Sequence, residues 1–159
     1  MERSESDSSP TEAGNIDYRE LTAPCGLDCF NCPLYLANND DGIRKHVASQ
    51  LAEDFGIAYQ AAYNKATCQG CRTIKGKCMG RKKPCKVYQC VSLKGIATCA
   101  DCSDFPCDNL HPYADMASRL PHNTKVYNLA LIRKMGMEKW AQEKAKSVKE
   151  TYFGGKFNL

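Results

Sequence analysis

The chain has 159 residues, a formal net charge of +4 and eleven cysteines, which is the size of one compact domain with tails. Charged residues make up 25%, an ordinary share that argues against disorder throughout. No apolar run reaches the roughly 18 residues of a membrane span, and the first fifteen residues lack the apolar segment of a secretory leader, so the expected place is the cytoplasm, with no membrane.

Residues 1–17 are rich in Ser, Asp and Glu and read as a disordered acidic tail. A single cysteine-rich metal-binding domain is expected over 18–150, and residues 151–159, with Gly154 and Gly155, read as a frayed tail. Order begins near Tyr18, and the first cysteines follow at once: Cys25, Cys29 and Cys32, separated by small and turn-forming residues. Leu34 to Ala37 suggests the start of a helix. Asn38 to Asp41 is a turn or N-cap. Ile43, Val47, Leu51 and Phe55 then recur at spacing four, which predicts a helix with one apolar stripe facing a core. Gly56 interrupts it, and a helical pattern resumes from Ile57 toward Lys65.

Cys68 to Cys71 forms a C-x2-C knuckle, with Gly70 free to take a positive φ. Thr73 to Lys83 reads as an exposed loop. Pro84 suits the first position of a short helix whose buried face carries Val87, Cys90 and Val91, with Gly95 closing it. Cys99 to Cys102 is a second knuckle, and Cys107 returns a third sulfur toward it. Asn123 or Thr124 is placed to cap a helix through Val126, Leu129, Ile132 and Arg133. Gly136 ends it, and Met137 to Val148 reads as one further helix anchored by Trp140. The fold class expected is small and mostly α, with irregular cysteine-rich metal-binding loops of zinc-knuckle type and a helical C-terminal third.

The sulfurs carry the chemistry. Cytosolic thiols stay reduced, so a dense set reads as metal ligands rather than disulfides, and eleven is odd, which does not suit a fully paired framework. Candidate ligands are Cys25, Cys29, Cys32, Cys68, Cys71, Cys78, Cys85, Cys90, Cys99, Cys102 and Cys107. A C-x2-C pair lets two sulfurs face one tetrahedral metal from a single turn. Twenty-seven residues separate the two pairs, beyond the usual ribbon spacing of about 15–20. The pairs either share one site or build two. The second pair would then add Cys107 and His111, and the first two of Cys78, Cys85 and Cys90. His111, before Pro112, also reads as a turn residue, and His46 and His122 read as non-ligands.

Zinc, two or three ions, is the expected cofactor, and the expected function is a cytosolic zinc-binding protein with structural metal sites acting as an interaction or regulatory module. The alternative is an iron–sulfur cluster with a redox or enzymatic role centred on Cys25, Cys29 and Cys32, whose spacing and following Pro33 suit such loops. Radical S-adenosylmethionine chemistry would need a large α/β barrel, and thiol redox catalysis a βαβ setting; neither pattern is present. A disulfide scaffold is the remaining reading. Whether the chain is an enzyme is open. Residues 68–98 hold eight Lys or Arg and no acid. This basic stretch, chiefly residues 72–86, either compensates the thiolates or offers a face to a protein or nucleic acid partner.

At these residues the chain resembles a known family. Cys25-Gly26-Leu27-Asp28-Cys29 with Cys32-Pro33 and Tyr35, then Cys68-Gln69-Gly70-Cys71, Cys85, Cys90, Lys94-Gly95-Ile96, Cys99-Ala100-Asp101-Cys102 and Phe105-Pro106-Cys107, are similar to the domain of unknown function family numbered 3795. The resemblance spans about residues 21–115, and Gly136 to Trp140 also fits a helical tail seen there. It implies a small, cysteine-rich, zinc-binding protein of the kind common in anaerobic bacteria and archaea. It implies no activity and no catalytic residue.

Overall fold

The computed structural model describes residues 16–155. Of the acidic tail expected over 1–17, all but Ile16 and Asp17 lies outside the described residues, as do 156–159 of the C-terminal tail. Among the described residues there are seven α-helices and no strand; Thr22 and Asp28 form an isolated antiparallel bridge.

The first helix, α1, is one turn, Pro33–Leu36, opened by proline. The next, α2, spans Asp41–Phe55. Asp40 caps it, accepting the Ile43 N–H at 3.0 Å, and Gly56, at φ 60°, ends it. Its stripe is shorter than expected. Val47 is buried, but Phe55 is half exposed, because Gly56 turns the chain away from the helix there. Helix α3, Tyr59–Lys65, folds back on α2, and Val47, Ala48, Ala62 and Ala66 form a small core without cysteines. The Tyr63 hydroxyl donates to Asp41 and so ties the two helices at their polar edge.

Helix α4 spans Lys86–Lys94 and ends on Gly95 at φ 63°. Pro84 is not its first residue. Cys85 takes the N-cap, its sulfur accepting the Tyr88 N–H at 3.4 Å. Val87 and Val91 are buried, while Cys90 is half-buried at the rim of that face.

Helix α5, Lys125–Met135, follows directly on a 3₁₀ turn, Pro121–Thr124. Neither expected cap acts as one. Thr124 donates its hydroxyl to Pro121 O and Asn123 is engaged with Tyr113, since the 3₁₀ turn already leads the backbone into the helix. Gly136, at φ 86°, separates α5 from α6, Met137–Glu143. The expected helix 137–148 is divided at Lys144, and α7 runs Ala145–Gly154, carrying helix across 151–154. The break redirects α7, so that Ala145 is buried and Lys149 reaches the first cysteine loop.

The main core brings α4, α5 and α6 onto that loop. Trp140, Leu129, Ile132, Val87, Val91, Phe30 and Leu110 pack together with Cys25 and Cys99. Phe30 stands edge-on to both Tyr18 and Trp140, an arrangement favoured by the aromatic quadrupole.

Candidate metal centre

The first cysteine loop is folded by its own backbone. Ala23 N–H donates to Leu27 O, Gly26 N–H to Ala23 O, and Cys29 N–H to Leu21 O. Gly26 sits at φ 85°, and a Cβ there would meet Leu129 Cγ at 2.8 Å. Only glycine lets α5 press this closely on the loop. The loop is then held from the C-terminal third. Asn128, buried on α5, donates to Gly26 O at 2.9 Å and accepts the Trp140 indole N–H at 3.3 Å. Lys149 Nζ lies 3.0 Å from Asp28 Oδ1, both largely withdrawn from water, and Asn31 donates to the other Asp28 oxygen.

The first knuckle docks on this loop. Cys68 N–H donates to Leu34 O at 2.8 Å. Gly70, at φ 91°, turns the chain, and the Cys71 N–H donates to Cys29 Sγ at 3.5 Å. Two cysteines 42 residues apart therefore meet. Arg72, counted by sequence with the exposed basic run, instead points inward. Its guanidinium donates to Arg19 O, Thr22 O and Ala97 O. Beyond it, Gly76 is buried beneath Tyr88, donates to Cys71 O and accepts from Cys85 N–H, which draws Cys85 toward Cys71. Lys75, Lys77, Arg81, Lys82, Lys83 and Lys86 are exposed.

The second knuckle is set by a capping box. Thr98 accepts the Ala100 N–H, and Asp101 accepts from the Thr98 N–H and hydroxyl. Cys99 N–H reaches Pro24 O at 2.9 Å. Arg133 of α5 donates to Ala100 O and Cys102 O, both at 2.8 Å, and its guanidinium lies over the Phe105 ring.

All eleven cysteines are free. Cys25, Cys29, Cys71 and Cys85 pack on the main core. Burial pushes the Cys29 thiol up to about 12, helped by the nearby thiols of Cys32, Cys25 and Cys68. Cys71 is raised by burial and then by Cys25, Cys29, Cys85 and Cys78. Cys68 is raised by burial first and then feels Cys32 and Cys78. These seven sulfurs therefore form one neighbourhood, with an inner set on the core and an outer set of Cys32, Cys68 and Cys78. The first knuckle divides between the two sets.

The other four, Cys90, Cys99, Cys102 and Cys107, line a cavity of about 210 Å³ between α4 and the 99–110 segment. Burial pushes Cys99 up to about 12, and its thiol neighbours are Cys25, Cys107, Cys102 and Cys90. Lys94 donates to Asp104 at 2.5 Å and to Cys102 Sγ at 3.2 Å, contacts that hold its ammonium above the usual range. His111 is exposed with Nδ1 at Pro112 O; it does not line the cavity. His122 is buried, stacked on Tyr113, and His46 lies on α2.

Among the described residues, no three His, Cys, Asp or Glu side chains converge on one point closely enough to hold a metal ion as placed. The donor set nevertheless fits thiolate-bound metal. It is unpaired and grouped, and one change of staggered well at a cysteine χ1 moves its sulfur by about 3 Å. Sequence reading missed Asn128, Lys149, Lys94 and the inward role of Arg72. For Asn128, the one signal was a polar residue on the apolar face of α5, beside Leu129.

A family model described as "Protein of unknown function (DUF3795)" matches residues 21–112, more than half of the chain. No curated protein matches the chain, and no solved structure matches it.

Proposed function

The chain belongs to that family, DUF3795, and from this premise we propose that it is a metalloprotein of the reducing cytoplasm, in which thiolates hold zinc as structural centres of an interaction module. The observation that carries the reading is the contact between Cys71 N–H and Cys29 Sγ, which joins two cysteine loops 42 residues apart in sequence. Around it stand Cys25 and Cys85 on the core, a four-thiol set of the type that zinc takes in structural sites. Cys32, Cys68 and Cys78 would supply a second ion with three thiolates, leaving its fourth position to a ligand from outside the set. When bound, zinc supplies folding free energy of about 10–16 kcal/mol in apparent terms near neutral pH. The chain's own residues do the positioning. Asn128 and Lys149 hold the first loop, Gly76 draws in Cys85, and Arg72 closes the carbonyls beneath.

Free thiols suit a reducing compartment. The exposed cations Lys75 to Lys86 would form the surface for an acidic partner. The test is zinc content per chain after anaerobic purification, with melting followed with and without chelator. Bound zinc, a chelator-sensitive melt and the loss of one ion in Cys71→Ser are expected. A metal-free chain with reduced thiols and a melt indifferent to added zinc would refute it.

A further inference from the structure

We propose that the cavity framed by Cys90, Cys99, Cys102 and Cys107 seats a polynuclear iron–sulfur cluster, held by those four thiolates and different in kind from the single-ion sites of the other seven. The proposal rests on the thiolate metal-binding reading above and deepens it at one place.

The space between the sulfurs carries the argument. A four-thiolate zinc site has Zn–S bonds of about 2.3 Å, so its sulfurs stand about 3.8 Å apart and the ion itself fills the centre. Here the four cysteines, with eight other residues, line a cavity of about 210 Å³ that opens to solvent. A single ion does not fill that space. Rotation about χ1 can turn each sulfur inward by about 3 Å, but closing the remaining space around one ion would have to drive α4 against the 99–110 segment. The wall resists such closure, because Val87, Val91 and Leu110 are already buried and packed in the main core. An inorganic core of several irons and sulfides, ligated by four cysteines, fills the space with the wall in place. The inner set of Cys25, Cys29, Cys71 and Cys85 packs directly on the core, which is why it is read differently.

The frame is preformed on three supports. Cys90 is carried by α4, and Cys99 and Cys102 bracket the capped 3₁₀ turn that Arg133 clamps. Cys107 is the N-cap residue of the turn Asp108–Leu110. The surroundings also suit a cluster with net negative charge. The wall is largely apolar, and Lys94, which also pairs with Asp104 of the same wall, brings an ammonium to 3.2 Å from Cys102 Sγ. Hydrogen bonds and charge at the ligand sulfurs are what set the potential of such centres.

The experiment uses the full chain, reconstituted anaerobically with ferrous iron and sulfide, beside a portion given zinc alone. Iron, acid-labile sulfide and broad absorbance near about 400 nm are expected in the first. Cys99→Ser and the exposed-site variant Cys107→Ser should lose sulfide and colour while keeping zinc at the other seven sulfurs. Lys94→Met should keep iron and sulfide but lower the reduction potential, since a positive charge beside the reduced cluster is lost. Zinc bound with no sulfide taken up overturns the cluster and leaves the zinc reading intact. No metal of either kind overturns both. Sulfide that survives Cys99→Ser and Cys107→Ser but is lost in Cys29→Ser moves the cluster elsewhere and overturns this placement, as does a Lys94→Met potential equal to the wild type.

Discussion

Asn128→Ala should be among the most costly substitutions outside the cysteines, because one buried amide serves two buried partners from distant parts of the chain. Its Nδ2 donates to Gly26 O at 2.9 Å, and its Oδ1 accepts the Trp140 indole N–H at 3.3 Å. Both Asn128 and Trp140 are buried, so water cannot replace the lost contacts. Each stranded group costs about 1–3 kcal/mol, which puts Asn128→Ala at about 2–6 kcal/mol, a large part of a typical stability of about 5–15 kcal/mol. Trp140→Phe removes the N–H donor together with part of the indole volume, a cavity cost common to both arms of the cycle, and strands Asn128 Oδ1. Once the amide is gone, the indole N–H no longer has a partner to lose, so the double variant should cost less than the sum of the singles. A coupling of about 1–2 kcal/mol is expected. Urea unfolding followed by circular dichroism measures it, with free zinc held constant and saturating so that mass action does not enter the comparison. Additivity within about 0.3 kcal/mol, or an Asn128→Ala cost below about 1 kcal/mol, would refute the reasoning.

Three further outcomes are expected. Gly26→Ala combines a φ of 85° with a Cβ 2.8 Å from Leu129 Cγ; it should cost about 2–3 kcal/mol by strain and overpacking and lower zinc retention, whereas unchanged urea midpoint and zinc content would contradict the packing described. Lys149→Met leaves Asp28 charged and buried with Asn31 as its side-chain partner, a loss of about 3 kcal/mol that Asp28→Asn in the same chain should largely restore, and failure to restore would mean the pair is not the cause. pH should act in opposite senses on the two forms. Burial raises Cys29 and Cys99 to about 12 in the metal-free fold, so their contribution is whole below the ordinary thiol value of about 9 and is lost above it, as unfolded thiols ionise first. On the proposed thiolate ligation zinc must displace these protons, so its apparent affinity should rise with pH through neutrality; a competitive chelator titration showing no rise would count against thiolate ligation.

Much of the local structure was readable because its causes lie within a few residues. Asp40 capping Ile43, Gly56 and Gly95 ending helices at positive φ, and Gly136 separating two others are each contained in one turn. The turns at Gly70 and at Cys99–Asp101 were readable for the same reason, each closed within a few residues. Local reasoning failed where the backbone answered to a distant neighbour. Lys144 interrupts a helix with no glycine or proline to announce it, and the break is what carries Lys149 to Asp28. Pro84 yielded the first turn of α4 to Cys85, a residue that Gly76 holds by its backbone. Arg72 looked like one more cation of a basic stretch until three carbonyls from two other segments converged on it.

By itself, then, the sequence determined a small, mostly helical, cysteine-rich protein and the family those cysteines mark. Hydropathy period, caps and Cys spacing need only interactions three or four residues apart. The tertiary structure alone decided which sulfurs are neighbours: Cys29 with Cys71, Cys85 with Cys71 and Cys25, and Cys90 with Cys99 of the second knuckle. Those meetings depend on closing loops of tens of residues, held by contacts such as Asn128 to Gly26 across 102 positions. Such closure is favourable only when the whole core packs at once, and no short window of sequence contains that.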